Sequence, residues 1–295
     1  MNVGQTIIDG LALGAIYALV AVGLALVFGV LRLINFAQGE LITAGAYALS
    51  LTSNWPLILQ ILLCFAVCIG LSVAIERIAF RPLRGAAPAT TLVATFAVAF
   101  ALEAVWLIAF GANGKPADPL SNLNTIAIHG SLNLRWITIV EVVAGLVLLG
   151  GTALILNRTS IGLQMRAAAT DFRTARLLGV RTNRVISFAF VIAGVMAAVV
   201  ALLYTVQTPL VTQTFGLDIT IIALVGAVVG GLDRLWSATA GGFAIGFATS
   251  VLTDVLPASQ EKFLTAFVFL LVILLLLLRP AGLFSGVGRT TVERV

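Results

Sequence analysis

A basic segment in the second half of the chain carries the most concentrated charge in this protein. From Arg158 to Arg184 it holds six arginines and a single acid, Asp171, so its net charge of +5 equals that of the whole chain. Arginines gathered in one short stretch of an otherwise apolar chain indicate a surface that docks into a partner. The alternative is a solvated loop whose arginines only set the orientation of a membrane protein.

A short helix is predicted inside this segment. Thr170 can cap it, Asp171 lies in the first turn, where the helix dipole favours an acid, and Gly179 can end it. The spacing i, i+4, i+7 and i+11 gives the helix one small or apolar face, made of Ala168, Phe172, Ala175 and Gly179. The arginines that point away from this face are Arg166, Arg173 and Arg176. We therefore predict that this short helix docks into a partner protein through its face of small residues.

A second polar cluster lies between two apolar runs that leave hardly any room for a loop. It contains Asn35, Gln38 and Glu40. One interpretation is a turn at the membrane surface with Glu40 in water. The other is an interrupted helix at membrane depth, which is tolerated only where it is buried in protein or lines a cavity. An acid inside a membrane is a candidate functional residue.

The residues that enzymes use are sparse in this chain. It contains no G-x-x-x-x-G-K-[ST] loop for binding phosphates and only two lysines, so we expect no ATP hydrolysis by this chain. His129 is the only histidine, which leaves no Ser/His/Asp arrangement and no histidine-rich metal site. Cys64 and Cys68 lie four residues apart in an apolar run, where packing is the expected role. We predict no catalytic residues and no bound metal.

Composition places the chain in a membrane. Of its 295 residues, 60% are hydrophobic and 10% charged, whereas soluble domains carry about 25% charged residues. We therefore predict an all-α polytopic membrane protein that forms one domain over residues 1–295. The pI of about 9.9 could suggest nucleic acid, but the arginines lie where membrane topology requires them, so no nucleic acid partner is expected.

The apolar runs predict about eight to nine transmembrane helices, some of them broken or re-entrant. They cover about residues 6–31, 41–51, 57–74, 90–110, 136–156, 185–206, 217–231, 237–255 and 263–278. With this layout 14 lysines and arginines fall on one side and 3 on the other, so the basic segment and the C-terminus are predicted to be cytoplasmic. The side of the N-terminus depends on whether residues 35–40 are re-entrant.

Several stretches resemble a known family in matching order over nearly the whole chain. They run from Gly10 to Tyr47, from Ile75 to Thr95, from Gly162 to Ala198 and from Arg279 to Phe284. Together they resemble the LivH-type permease subunits of branched-chain amino acid ABC importers. One region departs from the family pattern, since Asp233 and Arg234 stand where a glycine and a serine are usual.

The resemblance implies a set of partners and a location. It implies a second, LivM-like permease, two cytoplasmic ATPase subunits that use the ATP, and a periplasmic or extracellular substrate-binding protein, all at the bacterial cytoplasmic membrane. The chain itself would bind no cofactor. The segment 157–184 then corresponds to the family's coupling loop, with Arg166, Ala168, Asp171, Phe172, Ala175, Arg176 and Gly179 as the residues that contact an ATPase. The candidate translocation path comprises Asn35, Gln38, Glu40, Gly226 and Gly230.

Two alternatives stay open at this stage. Other members of the superfamily carry urea, short amides and other small solutes, and apolar path residues say little about the substrate. A protein of a different class, an ion-driven secondary transporter, would use acids inside the membrane, for which the candidates are Glu40, Glu103, Glu141 and Asp218. Such a transporter needs no helix that docks into an ATPase, so the predicted docking helix favours the importer.

Overall fold

The computed structural model describes residues 3–83, 86–128, 134–232, 234–257 and 260–279. Within these ranges the protein is mostly helical. His129, Asp233 and the tail from Pro280 onwards lie outside the described residues, so the predictions that concern them are not addressed by the structure.

The described helices follow one another along the chain with short connections. They are α1 (Val3–Leu31), α2 (Gln38–Leu51), α3 (Leu57–Ile75), α4 (Pro88–Phe110), α5 (Trp136–Arg158), α6 (Ser160–Thr170), α7 (Phe172–Leu177), α8 (Thr182–Gln207), α9 (Phe215–Gly230), α10 (Leu235–Val255) and α11 (Leu264–Leu278). A π-helical turn, Glu76–Phe80, extends α3, and 3₁₀ turns occur at Ser121–Asn124 and Glu261–Phe263.

Six of the described helices are long and apolar enough to cross a membrane. They lie at Val3–Leu31, Leu57–Phe80, Ala89–Phe110, Trp136–Arg158, Thr182–Gln207 and Leu235–Val255. Two further apolar helices, α9 and α11, are shorter. The prediction of a polytopic helical membrane protein is therefore confirmed, whereas the predicted count of eight to nine spans is not.

The strands are small and belong to the connections between helices. β1 (Lys115–Pro116) pairs antiparallel with β4 (Leu210–Val211), and β2 (Ile126–Ile128) pairs antiparallel with β3 (Leu134–Arg135). The first pair ties the segment after α4 to the segment between α8 and α9. The long polar stretch between α4 and α5 is thus held against the helices.

Side-chain bonds fix the direction in which the helices run. Arg32, at the end of α1, donates from Nη2 to the carbonyl oxygen of Ala169 at 2.7 Å, which places this end beside the basic segment. At the other end of α1, Thr6 donates to the carboxylate of Asp254 at the end of α10. We call the side of the protein that carries residues 158–184 the basic face, and the side that carries Thr6 and Asp254 the opposite face.

The helices are arranged as two inverted halves, with α1 to α4 in one and α8 to α11 in the other. α1 packs along α10, and α8 packs in the same way along α3. The second helix of each half, α2 or α9, packs on the third helix of its own half and on the first helix of the other. Because α1 ends at the basic face and α8 begins there, the two halves run in opposite directions through the membrane, as in inverted-repeat transporters.

Small residues allow the inverted halves to approach closely. A Cβ on Gly10 would come within 2.6 Å of the Phe247 ring, and a Cβ on Gly246 would come within 2.6 Å of the Gly14 backbone. Helices in lipid associate mainly by such close van der Waals packing. These glycines therefore hold α1 against α10. α1 is almost wholly buried, whereas α4 and α5 are mostly exposed.

Candidate functional site

The centre of the molecule is a crossing where two half-length helices begin side by side. α2 and α9 have 14 and 16 residues, about 21 and 24 Å of helix, which is less than the roughly 30 Å of a bilayer core. α2 runs from the crossing towards the opposite face, because Leu41 and Gly45 contact Cys68 and Cys64 of α3 in turn. α9 runs to the basic face, where Gly230 meets Ser237 at the start of α10.

The backbones of the two half-helices touch at the crossing. A Cβ on Gly216 would collide with the carbonyl oxygen of Gly39, and a Cβ on Gly39 would lie 2.8 Å from the carbonyl oxygen of Gly216. The backbone N–H of Gly216 donates to Thr43 Oγ1 at 2.9 Å, so a side chain of α2 satisfies one of the free N–H groups at the start of α9. Only glycine permits this contact.

The segment before α2 is irregular and buried, which decides between the two interpretations of Asn35–Glu40. Asn35, Gln38 and Glu40 are each at most 1% exposed, so the interpretation as a surface turn with Glu40 in water is wrong. Asn35 Oδ1 accepts from the backbone N–H of Ala37 at 3.2 Å and closes the turn that starts α2. The interrupted helix is therefore embedded in protein, as unpaired backbone inside a membrane requires.

Gln38 and Glu40 link the start of α2 to different neighbours. Gln38 Nε2 donates to the carbonyl oxygen of Ala193 in α8 at 3.1 Å. Glu40 Oε2 accepts from Trp106 Nε1 of α4 at 2.8 Å. Within the described chain, Oε1 of each side chain is buried without a hydrogen-bond partner. These two free acceptors make the start of α2 the most polar buried point near the crossing.

Gly226 and Gly230, predicted to line the path, pack against α10. A Cβ on Gly226 would lie 2.9 Å from Gly242 Cα, and a Cβ on Gly230 would collide with the carbonyl oxygen of Ser237. In this structure these glycines therefore hold α9 against α10 and leave no open space. Their part in a path would require the two helices to separate.

The basic segment forms two short helices instead of the one predicted. α6 ends at Thr170, whose hydroxyl donates to the carbonyl oxygen of Arg166 at 3.0 Å instead of capping a new helix. Asp171 is extended and acts as the cap of α7, because its Oδ1 accepts from the backbone N–H of Thr174 at 3.1 Å. The prediction that Thr170 caps the helix and that one helix carries both Ala168 and Gly179 is wrong, because the chain bends at Asp171.

Gly179 ends α7 as predicted. Its φ of 85° is left-handed, and the bonds from Gly179 N–H to Arg176 C=O (3.1 Å) and from Val180 N–H to Ala175 C=O (3.1 Å) form the Schellman arrangement that glycine favours.

The small residues of α6 and α7 face the interior of the protein instead of its surface. Ala168 is 2% exposed and Ala175 is 3% exposed, and both belong to the buried core. A docking surface built on these two alanines is therefore corrected: they attach α6 and α7 to the rest of the chain. The side chains of Phe172 and Arg173 lie outside the described part of the structure.

The outer surface of α7 and of the turn that follows it combines charge with exposed apolar side chains. Leu177 and Leu178 are 81% and 80% exposed, and Arg176 and Gly179 are also exposed. Arg166, exposed on α6, reaches Asn157 Oδ1 with Nη1 at 3.4 Å. The two leucines were not predicted from the sequence, because the predicted docking face consists of small residues. The signal in the sequence was two adjacent leucines, Leu177 and Leu178, inside the most basic stretch of the chain.

Several buried polar contacts were not predicted from the sequence. Glu141 of α5 is fully buried, and its Oε1 accepts from Gln207 Nε2 of α8 at 2.7 Å. Ser72 Oγ donates to the carbonyl oxygen of Phe190 at 2.6 Å. Cys64 and Cys68 are both free and buried, which confirms a packing role. Among the described residues no group of three or more histidines, cysteines or acids could hold a metal ion.

Comparison with known proteins identifies a family. Residues 6–278 match the family model described as "Branched-chain amino acid transport system / permease component". The chain is 32% identical to the high-affinity branched-chain amino acid transport system permease protein BraD of Pseudomonas aeruginosa over 99% of this chain and 97% of the relative. It is 28% identical to LivH of Escherichia coli K12, a protein with the same description, over the same shares.

A more distant relative covers only part of the chain. The autoinducer 2 import system permease protein LsrC of Yersinia enterocolitica is 29% identical over 61% of this chain and 48% of its own length. No solved structure matches the chain significantly.

Proposed function

Since this chain belongs to the family of branched-chain amino acid transport system permease components, we propose that it is the permease subunit of a binding-protein-dependent ABC importer for branched-chain amino acids. The observation that carries the proposal is the match over nearly the full length to permeases named for that substrate class. The relatives do not favour a permease for urea or short amides, nor an ion-driven transporter. The chain is then a transport subunit and not itself an enzyme.

The proposed complex contains subunits that this chain must contact on three sides. A LivM-like permease would pack beside it and share the path, and the mostly exposed α4 and α5 offer surface for that partner and for lipid. Two ATPases would bind the basic face, and a binding protein would deliver substrate to the opposite face. The excess of arginine on the basic face supports placing that face and the C-terminus in the cytoplasm of a bacterial inner membrane.

Coupling to the ATPases would pass through α7. The exposed Leu177 and Leu178, with Arg176 beside them, suit a groove that is apolar at its centre and acidic at its rim. Ala175 packs α7 against the core. The hydrogen bond from Arg32 to the carbonyl oxygen of Ala169 connects α6 to the end of α1. A displacement of α7 would therefore reach α1, which is the most buried of the six long apolar helices.

The path would open at the crossing of the half-helices. α2 and α9 begin at one point and run to opposite faces, so a relative shift of the two inverted halves would change access from one face to the other. Gln38 and Glu40, with their free buried acceptors, lie at the start of α2, where a polar substrate would need hydrogen-bond partners. Asn35 shapes the turn that positions them.

Reconstitution of the four kinds of subunit in liposomes tests this function. We expect ATP-dependent uptake of labelled leucine, isoleucine and valine that requires the binding protein and exceeds the uptake of labelled urea. The chain alone should show neither ATP hydrolysis nor uptake, because it has no phosphate-binding loop. Leucine uptake by the lone chain driven by a proton or sodium gradient would contradict the importer and support the secondary transporter.

A further inference from the structure

A cavity of about 500 Å³ lies among the start of α1, the start of α5 and the end of α8. This volume is in the range of roughly 300–1,000 Å³ that small-ligand pockets occupy. Thr6, near the cavity on α1, bonds to Asp254, so the cavity is on the opposite face. None of its lining residues belongs to the segment 157–184 or to the candidate translocation path.

The polar residues of the cavity include both signs of charge. Asp9 contributes a carboxylate that is only partly buried, and Arg135 contributes an exposed guanidinium. Gln5 Nε2 donates to Asp9 Oδ1 at 3.0 Å and holds that carboxylate on the cavity wall. Arg135 Nη1 donates to Asn124 Oδ1 at 3.3 Å, which uses one of the five N–H donors that a guanidinium carries.

The rest of the lining is apolar or neutral. Ala12, Leu13, Ile137 and Val206 form the apolar wall, and Thr138 and Gln207 add neutral polar groups. Gln207 also bonds to the buried Glu141, so the cavity wall is tied to a second acid beneath it. With Asp9 and Arg135 as the two charges that line the cavity, a ligand of either single sign would meet repulsion from one of them.

We propose that this cavity is an outer subsite for a zwitterionic α-amino acid with an apolar side chain, which rests on the proposed function. Arg135 binds the α-carboxylate through its two-pronged donor geometry, Asp9 binds the α-ammonium group, and the apolar wall receives the side chain. The subsite lies on the face where a binding protein would release substrate. It therefore holds the amino acid before the path at the half-helix crossing opens.

The experiment measures ligand binding to the assembled complex in nanodiscs, without binding protein or ATP, by saturation-transfer NMR. The probes are leucine, leucine methyl ester, which lacks the carboxylate, and 4-methylpentanoate, which lacks the ammonium group. The wild-type complex is expected to bind leucine at least about tenfold more tightly than either analogue, because each analogue loses one charge-assisted contact.

Each variant should remove one preference and keep the other. Arg135→Gln should abolish the preference for leucine over the methyl ester and leave methyl ester binding unchanged, and Asp9→Asn should abolish the preference for leucine over 4-methylpentanoate. Matched controls are Lys115→Gln and Asp118→Asn, two charges between α4 and α5 that do not line the cavity. Both controls should keep both preferences.

Two results would overturn the subsite. One is a wild-type complex that binds the three probes equally or not at all, and the other is retention of both preferences in Arg135→Gln and Asp9→Asn. ATP-driven leucine uptake is measured on the same preparations. Uptake at wild-type rates together with either result would reject the subsite while leaving the importer function intact, whereas absence of wild-type uptake would reject the function separately.

Discussion

The half-helix crossing and the basic segment lie in different environments, the membrane interior and water, and differ accordingly in their residues. At the crossing, Gly39 and Gly216 bring two backbones into contact, and polar side chains are buried because lipid offers them no hydrogen bonds. In the basic segment, Arg176 and Leu177 of α7 and the following Leu178 are exposed, while Ala175 is buried against the rest of the chain. The first region requires tight packing to exist in a membrane, and the second requires a free surface to be of use to a partner.

The largest effect is expected from filling the crossing. Gly216→Leu would force atoms into the Gly39 carbonyl group, and overpacking of this kind costs about 1–3 kcal/mol or more. We expect a loss of folded protein and a lower melting temperature of the detergent-solubilised complex. Gly70→Leu on α3 is the matched control, since its Cβ would meet nothing within 4 Å. Equal melting temperatures of the two variants would show that the crossing is not tightly packed.

Ala175→Glu tests whether the small face of α7 points inward. A glutamate at this buried position must remain unpaired or push α7 away from the core, so α7 should detach locally while the membrane helices stay folded. We expect faster tryptic cleavage at Arg176 and Arg181, together with weaker retention of the ATPases. Protection from trypsin equal to wild type would indicate that Ala175 faces outward after all.

Trp106→Phe sharpens the account of the start of α2. The substitution removes the donor to Glu40 Oε2, so that Oε2, like Oε1, is buried without a hydrogen-bond partner among the described residues, which should destabilise the protein by about 1–3 kcal/mol. Glu40→Gln keeps an acceptor for Trp106 and serves as the comparison, with a smaller expected loss. Thermal melting of the complex measures both. If Trp106→Phe melts no lower than Glu40→Gln, the bond contributes nothing to stability.

Surface labelling tests the orientation of the two faces and should disturb the protein least. Single cysteines are placed at Asn124 and Thr182 in a background with Cys64 and Cys68 replaced by alanine. In whole cells a membrane-impermeant thiol reagent should label only position 124, because the excess of arginine predicts a cytoplasmic basic face. Labelling of position 182 alone would invert the proposed topology.

The sequence predicted the structure correctly where a single residue type or the overall composition determines the local conformation or environment. Composition predicted a helical membrane protein, Gly179 was placed correctly at a helix end, and the charge of residues 158–184 marked an exposed segment. The bend at Asp171 was missed because both Thr170 and Asp171 can cap a helix, and the choice between them depends on how Ala168 and Ala175 pack. A helical projection cannot tell whether a small face binds the chain itself or a partner.

The inverted halves were not evident from the sequence, although a trace of them is present. Gly39, Ile42 and Thr43 have the same spacing as Gly216, Ile219 and Thr220, so each half-helix starts with the pattern G-x-x-I-T. All six residues are buried in the structure. The flanking helices share little beyond small and apolar residues, which suit a lipid environment equally well in many orders. A match of three residues within five positions therefore carries little weight without the fold.

The most direct test of the account concerns two exposed leucines, Leu177 at the end of α7 and Leu178 directly after it. Leu177→Glu combined with Leu178→Glu changes only surface positions, so the membrane domain should fold normally. Leu163→Glu, at a 61% exposed leucine of α6, is the matched control. The measurement is co-purification of the ATPases followed by ATP hydrolysis in the presence of loaded binding protein. The account predicts loss of both for the double variant and retention of both for Leu163→Glu; normal retention and stimulation in the double variant would contradict the assignment of α7 as the coupling element.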